Sequence, residues 1–295
     1  MLYLIEEAGC HLKGTEVIMY DGTTKCVEDV RVGDKLMGND GTPREVLRLY
    51  SGIDTMYKIT LSNGDYQIVN STHPVYYRKY NWNKKEYINC LNTAPELLYK
   101  DTSKGCYIHK ASVLDNVSYE HKELPIDPYW LGLWLGDGDK TRMSVANEDP
   151  EIIEWLEEYC KTNNLKYTKR FLPQSKNCYS INISKENDIY KEFKKLGLEN
   201  NKHIPQEYIL TSYNNIVKLI AGLIDTDGTY DKKKHCYEIT QVHTRKHILD
   251  NVKRMCESIG LKCSMSSRIA GSTAKGAGHL NYRLRITGIL GGLPI

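Results

Sequence analysis

No stretch of the 295 residues runs to 18 apolar positions, so no membrane-spanning helix is expected, and the N-terminus lacks the charged-then-apolar pattern of a secretory signal. The 9 cysteines are odd in number and include no C-x-x-C pair. That argues against a disulfide framework or a zinc ribbon and for reduced thiols, so an intracellular location, cytoplasm or nucleus, is expected. Net charge is also slight, +3 at pH 7, too little to identify a partner. Its distribution says more. Residues 120–160 hold 11 acids against 3 bases, residues 161–203 hold 10 bases against 4 acids, and residues 232–285 hold 12 bases against 3 acids. Two basic stretches in one half of a chain point weakly to a polyanion.

What is present is a repeat. "LIAGLIDTDG", residues 219–228, is an apolar helix with small residues that ends in two aspartates and a glycine. "YWLGLWLGDGDK", residues 129–140, has the same character, and Asp137 and Asp227 lie 90 residues apart. Each copy is followed by a short alternating strand ending in an amide, Asn147 or Gln241, and then by an amphipathic helix. Cys160 and Cys256, Leu165 and Leu261, and Lys166 and Lys262 fall in register. A second strand pair follows each helix. The pattern predicts a duplicated α+β unit: helix, two strands, helix, two strands, twice over.

An acid at the carbonyl end of a helix opposes the helix dipole and costs about 0.3–1 kcal/mol. Gly132 and Gly136, and Gly222 and Thr226, are small residues four apart on one face of each helix. Small side chains on facing ridges let two helix backbones approach closely. If the repeats pack through these helices, Asp137 and Asp227 meet side by side. Divalent cations between them would offset both the dipole and the mutual repulsion, and two such ions are suited to phosphodiester hydrolysis.

These paired stretches resemble the motifs of LAGLIDADG homing endonucleases. The resemblance implies two αββαββ halves whose sheets straddle the major groove of double-stranded DNA, acting as a monomer with a pseudo-dimeric core. Carried over by motif position, Asp137 and Asp227 are the catalytic and metal-binding acids, with Mg²⁺ as the expected ion, and Asp225 falls where the family residue is structural. Lys202, in "NNKHIP", matches a lysine that orients water or stabilises phosphate charge. The family reads DNA with side chains of its sheets, so Lys169, Arg170, Arg268, Arg283 and Arg285, all on expected strands, are candidate DNA contacts. In "YRLRI" the period of two places Arg283 and Arg285 on one face.

The first 120 residues read differently. Short β-branched runs alternate with Asp-Gly and Gly-Asp turns, with no useful helical period, so this part is expected to be all-β. Cys10, "KGTEV", "RVGDKLMG" and "NSTHPV" resemble the Hint domain of inteins, closely the vacuolar-ATPase type. His73 ends the second motif, and Asn70 stands where a threonine is usual. The resemblance implies that the Cys10 thiol attacks the Gly9 carbonyl in an N-to-S acyl shift. His73 would protonate the leaving nitrogen, and Asn70 and Thr72 would hold the distorted peptide.

The expected organisation is therefore a host-sequence remnant at 1–9, the N-terminal part of a Hint domain at 10–123, and an endonuclease at 124–295 whose second repeat is incomplete. The C-terminal sequence lacks the His-Asn of a splicing junction, so a truncated chain is expected, with a host protein in cis as partner and no membrane. Two alternatives fit the same residues: a free-standing homing endonuclease with a vestigial Hint domain, and an inactive DNA-binding relic.

Overall fold

The computed structural model describes residues 10–21, 23–38, 42–60, 65–81, 83–98, 123–173, 177–209, 211–270 and 279–288. The segment expected to be host sequence, Gly9 included, lies outside them. The backbone forms two compact units, Met1–Val117 and Ser118–Ile295.

The first unit is a run of antiparallel hairpins. β1 (Glu16–Ile18) pairs with β2 (Thr24–Cys26), β3 (Lys35–Met37) with β4 (Pro43–Glu45), β5 (Met56–Thr60) with β6 (Tyr66–Asn70), and β7 (Pro74–Asn81) with β8 (Glu86–Thr93). A helix of 5 residues, α1 (Ala94–Leu98), follows β8. Turn chemistry shapes the bends. The Asp21 carboxylate accepts from the Thr23 N–H at 2.9 Å and its hydroxyl at 2.7 Å. Gly33 takes φ +89, a conformation that strains other residues, and donates to the Val46 carbonyl at 2.9 Å. Val69, Val75 and Ala94 form a small core, with Tyr57, Ile59 and Leu97 packed around it.

The second unit holds the repeat. Its first half runs α2 (Pro128–Asp137), β9 (Ser144–Asn147), α3 (Pro150–Thr162), β10 (Tyr167–Phe171), β11 (Tyr179–Ile183) and α4 (Asp188–Lys195). After α5 (Gln206–Ile209) come α6 (Tyr213–Asp227), β12 (Gly228–Asp231), β13 (Cys236–Val242), α7 (Lys246–Ser258), β14 (Lys262–Ala270) and β15 (His279–Thr287). The sheets are ordered β10-β11-β9 and β12-β13-β15-β14, every neighbour antiparallel.

The second half follows the expected order of helix, two strands, helix, two strands. The first half departs from it, because only β9 lies between α2 and α3. Pairing ahead of β9 shrinks to a single bridge, Gly138 to Val145. The cause is a tight turn: Asp139 takes the N–H of Thr141 at 2.8 Å and its hydroxyl at 2.7 Å, and the chain reverses before a strand can extend. In the second copy the turn comes later, where Asp231 accepts from the N–H groups of Lys233 and Lys234, and β12 forms.

Helices α3 and α7 are amphipathic and bury one stripe each, Ile152, Ile153, Leu156 and Cys160 in α3, and Ile248, Leu249, Val252, Met255 and Cys256 in α7. Helix α2 is buried from Trp130 to Leu135 and α6 from Leu219 to Ile224, and the two pack against each other. A Cβ on Gly132 would overlap the Leu219 carbonyl oxygen and come within 2.9 Å of the Leu223 nitrogen. One on Gly222 would overlap the Tyr129 carbonyl oxygen, and one on Gly136 would overlap Thr226. The two backbones touch at these residues, and both helices end at one place.

Candidate functional site

Helix α2 starts on a strong cap: the Asp127 carboxylate accepts from the Tyr129 and Trp130 N–H groups, and Pro128 fits the first turn. It ends at Asp137, as α6 ends at Asp227. The glycines that follow serve a different need from a left-handed cap. Gly138 and Gly228 have extended backbones, with φ −73 and −91. A side chain at Gly138 would strike Trp134, and one at Gly228 would strike Ile224. Glycine is required there because the chain leaves by folding tightly against the last helical turn.

The two acids are neighbours. The Asp227 carboxyl carbon lies 3.4 Å from where a Gly136 Cβ would sit, one residue before Asp137. Burial pushes the pKa of both carboxyls up, and the charge of Asp137 adds to the rise at Asp227. Each is held by the amide that ends the following strand. Asn147 Nδ2 donates to Asp137 Oδ2 at 2.7 Å, and Gln241 Nε2 donates to Asp227 Oδ2. Both amides reach the acids because they lie on the helix-facing side of their sheets, with Val145 and Ile239.

Lys202 is buried beneath this pair. Its Nζ donates to the carbonyls of Leu135 at 3.1 Å and Gly136 at 2.9 Å, open acceptors at the end of α2, and lies 5.4 Å from the Trp134 ring centre. Burial, with the charge of Arg245 behind it, lowers the Lys202 pKa to about 8, while Asp227, Asp137 and Asp139 pull the other way. Arg245 also acts on Asp227, so a second cation stands at the site. His247 Nε2 lies 3.0 Å from the Lys202 carbonyl oxygen and ties the lysine's backbone to α7. Asp225 is turned away, accepting from the Tyr129 hydroxyl at 2.7 Å and tying α6 to α2.

Two carboxylates suit a hard divalent cation such as Mg²⁺, which binds through one or two carboxylates and fills its remaining positions with water and phosphate. Burial with a raised pKa is the state such an ion would relieve, so the donor set fits. Another group, Asp231, Cys236 and Glu238, brings three ligand atoms within 4.8 Å of one another. There both Glu238 oxygens are engaged by arginines, which argues against a metal.

The basic residues divide by face. Lys169 pairs across the sheet with buried Ile181 and is bonded to Glu157 of α3 at 2.8 Å, so it belongs to the helix-packed side. Arg170, next in sequence, pairs with Ser180 on the opposite side. Lys169 and Arg170 therefore cannot share a reading face. In the second sheet Arg268, Arg283 and Arg285 all lie on the face away from the helices, given that Cys263, Leu284 and Ile286 fill the other. Arg283 and Arg285 both pair with Glu238 of β13.

The first unit has a site of its own. Cys10 runs antiparallel to the end of β6: Asn70 N–H donates to the Cys10 carbonyl at 3.0 Å, His11 bridges Val69, and Leu12 N–H donates to Ile68 at 3.1 Å. The Cys10 N–H donates to Asn70 Oδ1 at 2.9 Å, so the nitrogen of the Gly9–Cys10 peptide bond rests on this buried amide. Thr72 acts through Asn70, accepting from its Nδ2 at 3.0 Å. Asp54 accepts from the same Nδ2 at 3.1 Å and from Ser71 at 3.0 Å. The His73 ring stands edge-on to His11, centroids 4.4 Å apart. Asp54 and His11 were not singled out by sequence. Their links to Asn70 and His73 span 16 and 62 positions, which no local pattern reveals.

Comparison with known proteins follows the same division. Residues 10–94 match the family described as "Hom_end-associated Hint" and residues 203–290 the family described as "Homing endonuclease". The replicative DNA helicase DnaB of Mycobacterium intracellulare is 25% identical over 266 residues, covering 81% of this chain and 41% of that protein. The catalytic subunit of the V-type proton ATPase of Candida tropicalis is 57% identical over 51 residues, 17% of this chain and 5% of its own length. The homothallic switching endonuclease of Saccharomyces cerevisiae is 28% identical over 168 residues, 48% of this chain and 28% of its own. The chain thus spans less than half the length of each of these relatives. Among solved structures, I-DmoI in complex with DNA and Ca aligns with a TM-score of 0.40 at 18% identity, over 55% of this chain and 83% of that one.

Proposed function

This chain belongs to the inteins in which a LAGLIDADG homing endonuclease accompanies a Hint domain, and from that premise we propose that it carries two separate chemistries. One is Mg²⁺-dependent cleavage of both strands of a specific DNA site at Asp137 and Asp227. The other is an N-to-S acyl shift at Cys10.

The observation that carries the first is the matched pair of acids at touching helix ends, each held by an amide from the equivalent strand. Divalent ions bound there would polarise the phosphate and lower the pKa of a bound water. The chain's residues supply the frame. Asn147 and Gln241 fix the orientation of the two carboxylates, as outer-shell partners of a metal ligand do. Lys202 and Arg245 place positive charge beside the site, where a phosphate accumulates negative charge in the transition state. Asp137→Asn and Asp227→Asn should each abolish double-strand cleavage, in Mg²⁺, of a duplex selected from a randomised library by the unaltered protein, with binding of that duplex retained. Normal cleavage by either variant would remove that acid from the site.

In the first unit the Cys10 sulfur attacks the Gly9 carbonyl carbon. A C–S bond forms, the bond from that carbon to the Cys10 nitrogen breaks, and the net proton transfer is from thiol to amine. The Cys10 nitrogen, which donates to Asn70 Oδ1 before the step, still carries an N–H to donate after it. The product is a neutral amine, and once it takes a further proton from solvent the bond to Asn70 gains charge and strengthens, so Asn70 favours the product side of the shift. Asp54, Ser71 and Thr72 hold Asn70 in that orientation. His73, against His11, is the group assigned to protonate the leaving nitrogen.

A further inference from the structure

The four-stranded sheet carries two acids on its outward face, Asp231 at the end of β12 and Glu238 in β13, and Glu238 is the one the arginines bond. The β13–β15 register sets Glu238 directly opposite Arg285, and Arg283 lies two positions earlier on the same face of β15. Both guanidiniums converge on this carboxylate. Arg285 bonds Oε1 through Nε at 3.0 Å and through Nη2 at 2.7 Å, and Arg283 Nη1 meets Oε2 at 3.0 Å. Around them the register places Thr240, Ser264, Ser266 and Arg268 on one side, the last two exposed, and buried Cys236 with Asp231 on the other.

Two features distinguish this from a stabilising surface pair. An acid on a face that approaches a polyanion opposes binding, so it is retained at a cost to affinity. The bonding pattern is also directional. Arg285 spends its Nε edge on Glu238, and its distal Nη1/Nη2 fork points away from that bond. That fork is the edge that pairs with O6 and N7 of guanine in the major groove. A long arginine side chain fixed by a carboxylate has already lost the rotamer freedom that reading would otherwise remove. The neighbouring Arg285 holds the Glu238 carboxyl below the usual range, so the buttress stays ionised in neutral solution.

We propose that Glu238 is a specificity-determining residue of the DNA-binding sheet, holding Arg285 so that its distal fork reads guanine and keeping both arginines from settling on phosphates. The proposal rests on the reading that this sheet binds duplex DNA. Glu238 acts through Arg285 and is a positioning residue.

The test is selection of binding sites from a randomised DNA duplex library by the unaltered protein and by Glu238→Gln, Glu238→Ala and Arg285→Ala, with affinities measured for the best site and for random duplex. The unaltered protein should show a guanine whose replacement by adenine weakens binding about 10-fold or more, within the range of one bidentate contact. Arg285→Ala should lose that preference. Glu238→Ala should lose most of it while binding random duplex more tightly, with a salt slope steeper by about one phosphate contact. In the Arg285→Ala background, Glu238→Ala should change guanine discrimination no further. Thermal melts confirm folding of each variant, and Glu238→Gln, which keeps an acceptor for Arg285, should fall between. Retention of the full guanine preference in Glu238→Ala overturns the proposal. If the unaltered protein enriches no sequence at all, the DNA-binding reading fails and takes this one with it.

Discussion

An ionised carboxylate at the carbonyl end of a buried helix opposes the helix dipole and gives up hydration. Asp137 and Asp227 carry both penalties and repel each other besides. The metal-free protein should therefore be more stable without them. Burial raises both carboxyl pKa values above their ordinary 3.8. Between that value and the raised folded ones the native state binds more protons than the unfolded chain, so stability falls as pH climbs through the window. Asp137→Asn and Asp227→Asn should each raise the unfolding midpoint at pH 7 in a chelator, by roughly 2–4 °C per kcal/mol recovered. The advantage should shrink as pH drops below the raised pKa values. Added Mg²⁺ should stabilise the parent and leave the double variant unmoved, since only the parent retains the ligands. Thermal scans at pH 7 and at mildly acid pH measure this. A lower midpoint for both variants in chelator would mean that the acids stabilise the fold.

At the scale of elements, the helix crossing decides where those residues meet. Gly132 and Gly222 lie where backbone touches backbone. Alanine is the better helix former by about 1 kcal/mol, yet Gly222→Ala should destabilise the chain by about 1–3 kcal/mol, because backbone cannot yield as a side chain does. Urea titration measures it. Gly52→Ala, where a Cβ meets open space, should stay within about 0.5 kcal/mol. This crossing was legible in the sequence, since small residues four apart on two apolar helices leave few other arrangements. The amides Asn147 and Gln241 were legible as strand ends. Their hold on the acids was not, because it depends on which strand face meets the helices. The same ambiguity grouped Lys169 with Arg170: a period of two separates them, but only Glu157, on another helix, shows which one is turned inward. The strand missing after α2 was hidden as well, for it turns on one side chain, Asp139, closing a turn early.

At the scale of the whole molecule, two sites lie in two units, each built from residues of its own unit. Cys10, Asp54, Asn70, Thr72 and His73 belong to the first, and Asp137, Lys202, Asp227, Asn147 and Gln241 to the second. The two sets share no residue, so the chemistries should separate by single substitutions. The acyl shift converts an amide to a thioester, which hydroxylamine captures irreversibly. Treated so, the chain should release the peptide 1–9 as its hydroxamate, read by mass spectrometry. Cys10→Ala should release none, having no sulfur to form the ester. Asn70→Ala should release it more slowly, since the leaving nitrogen then loses the oxygen that accepts its hydrogen bond. Asp137→Asn should release it at the parental rate while failing to cut DNA, and Cys10→Ala should cut DNA at the parental rate. Release of the peptide from Cys10→Ala at the parental rate would show that Cys10 is not the nucleophile and leave the first unit without the chemistry assigned to it.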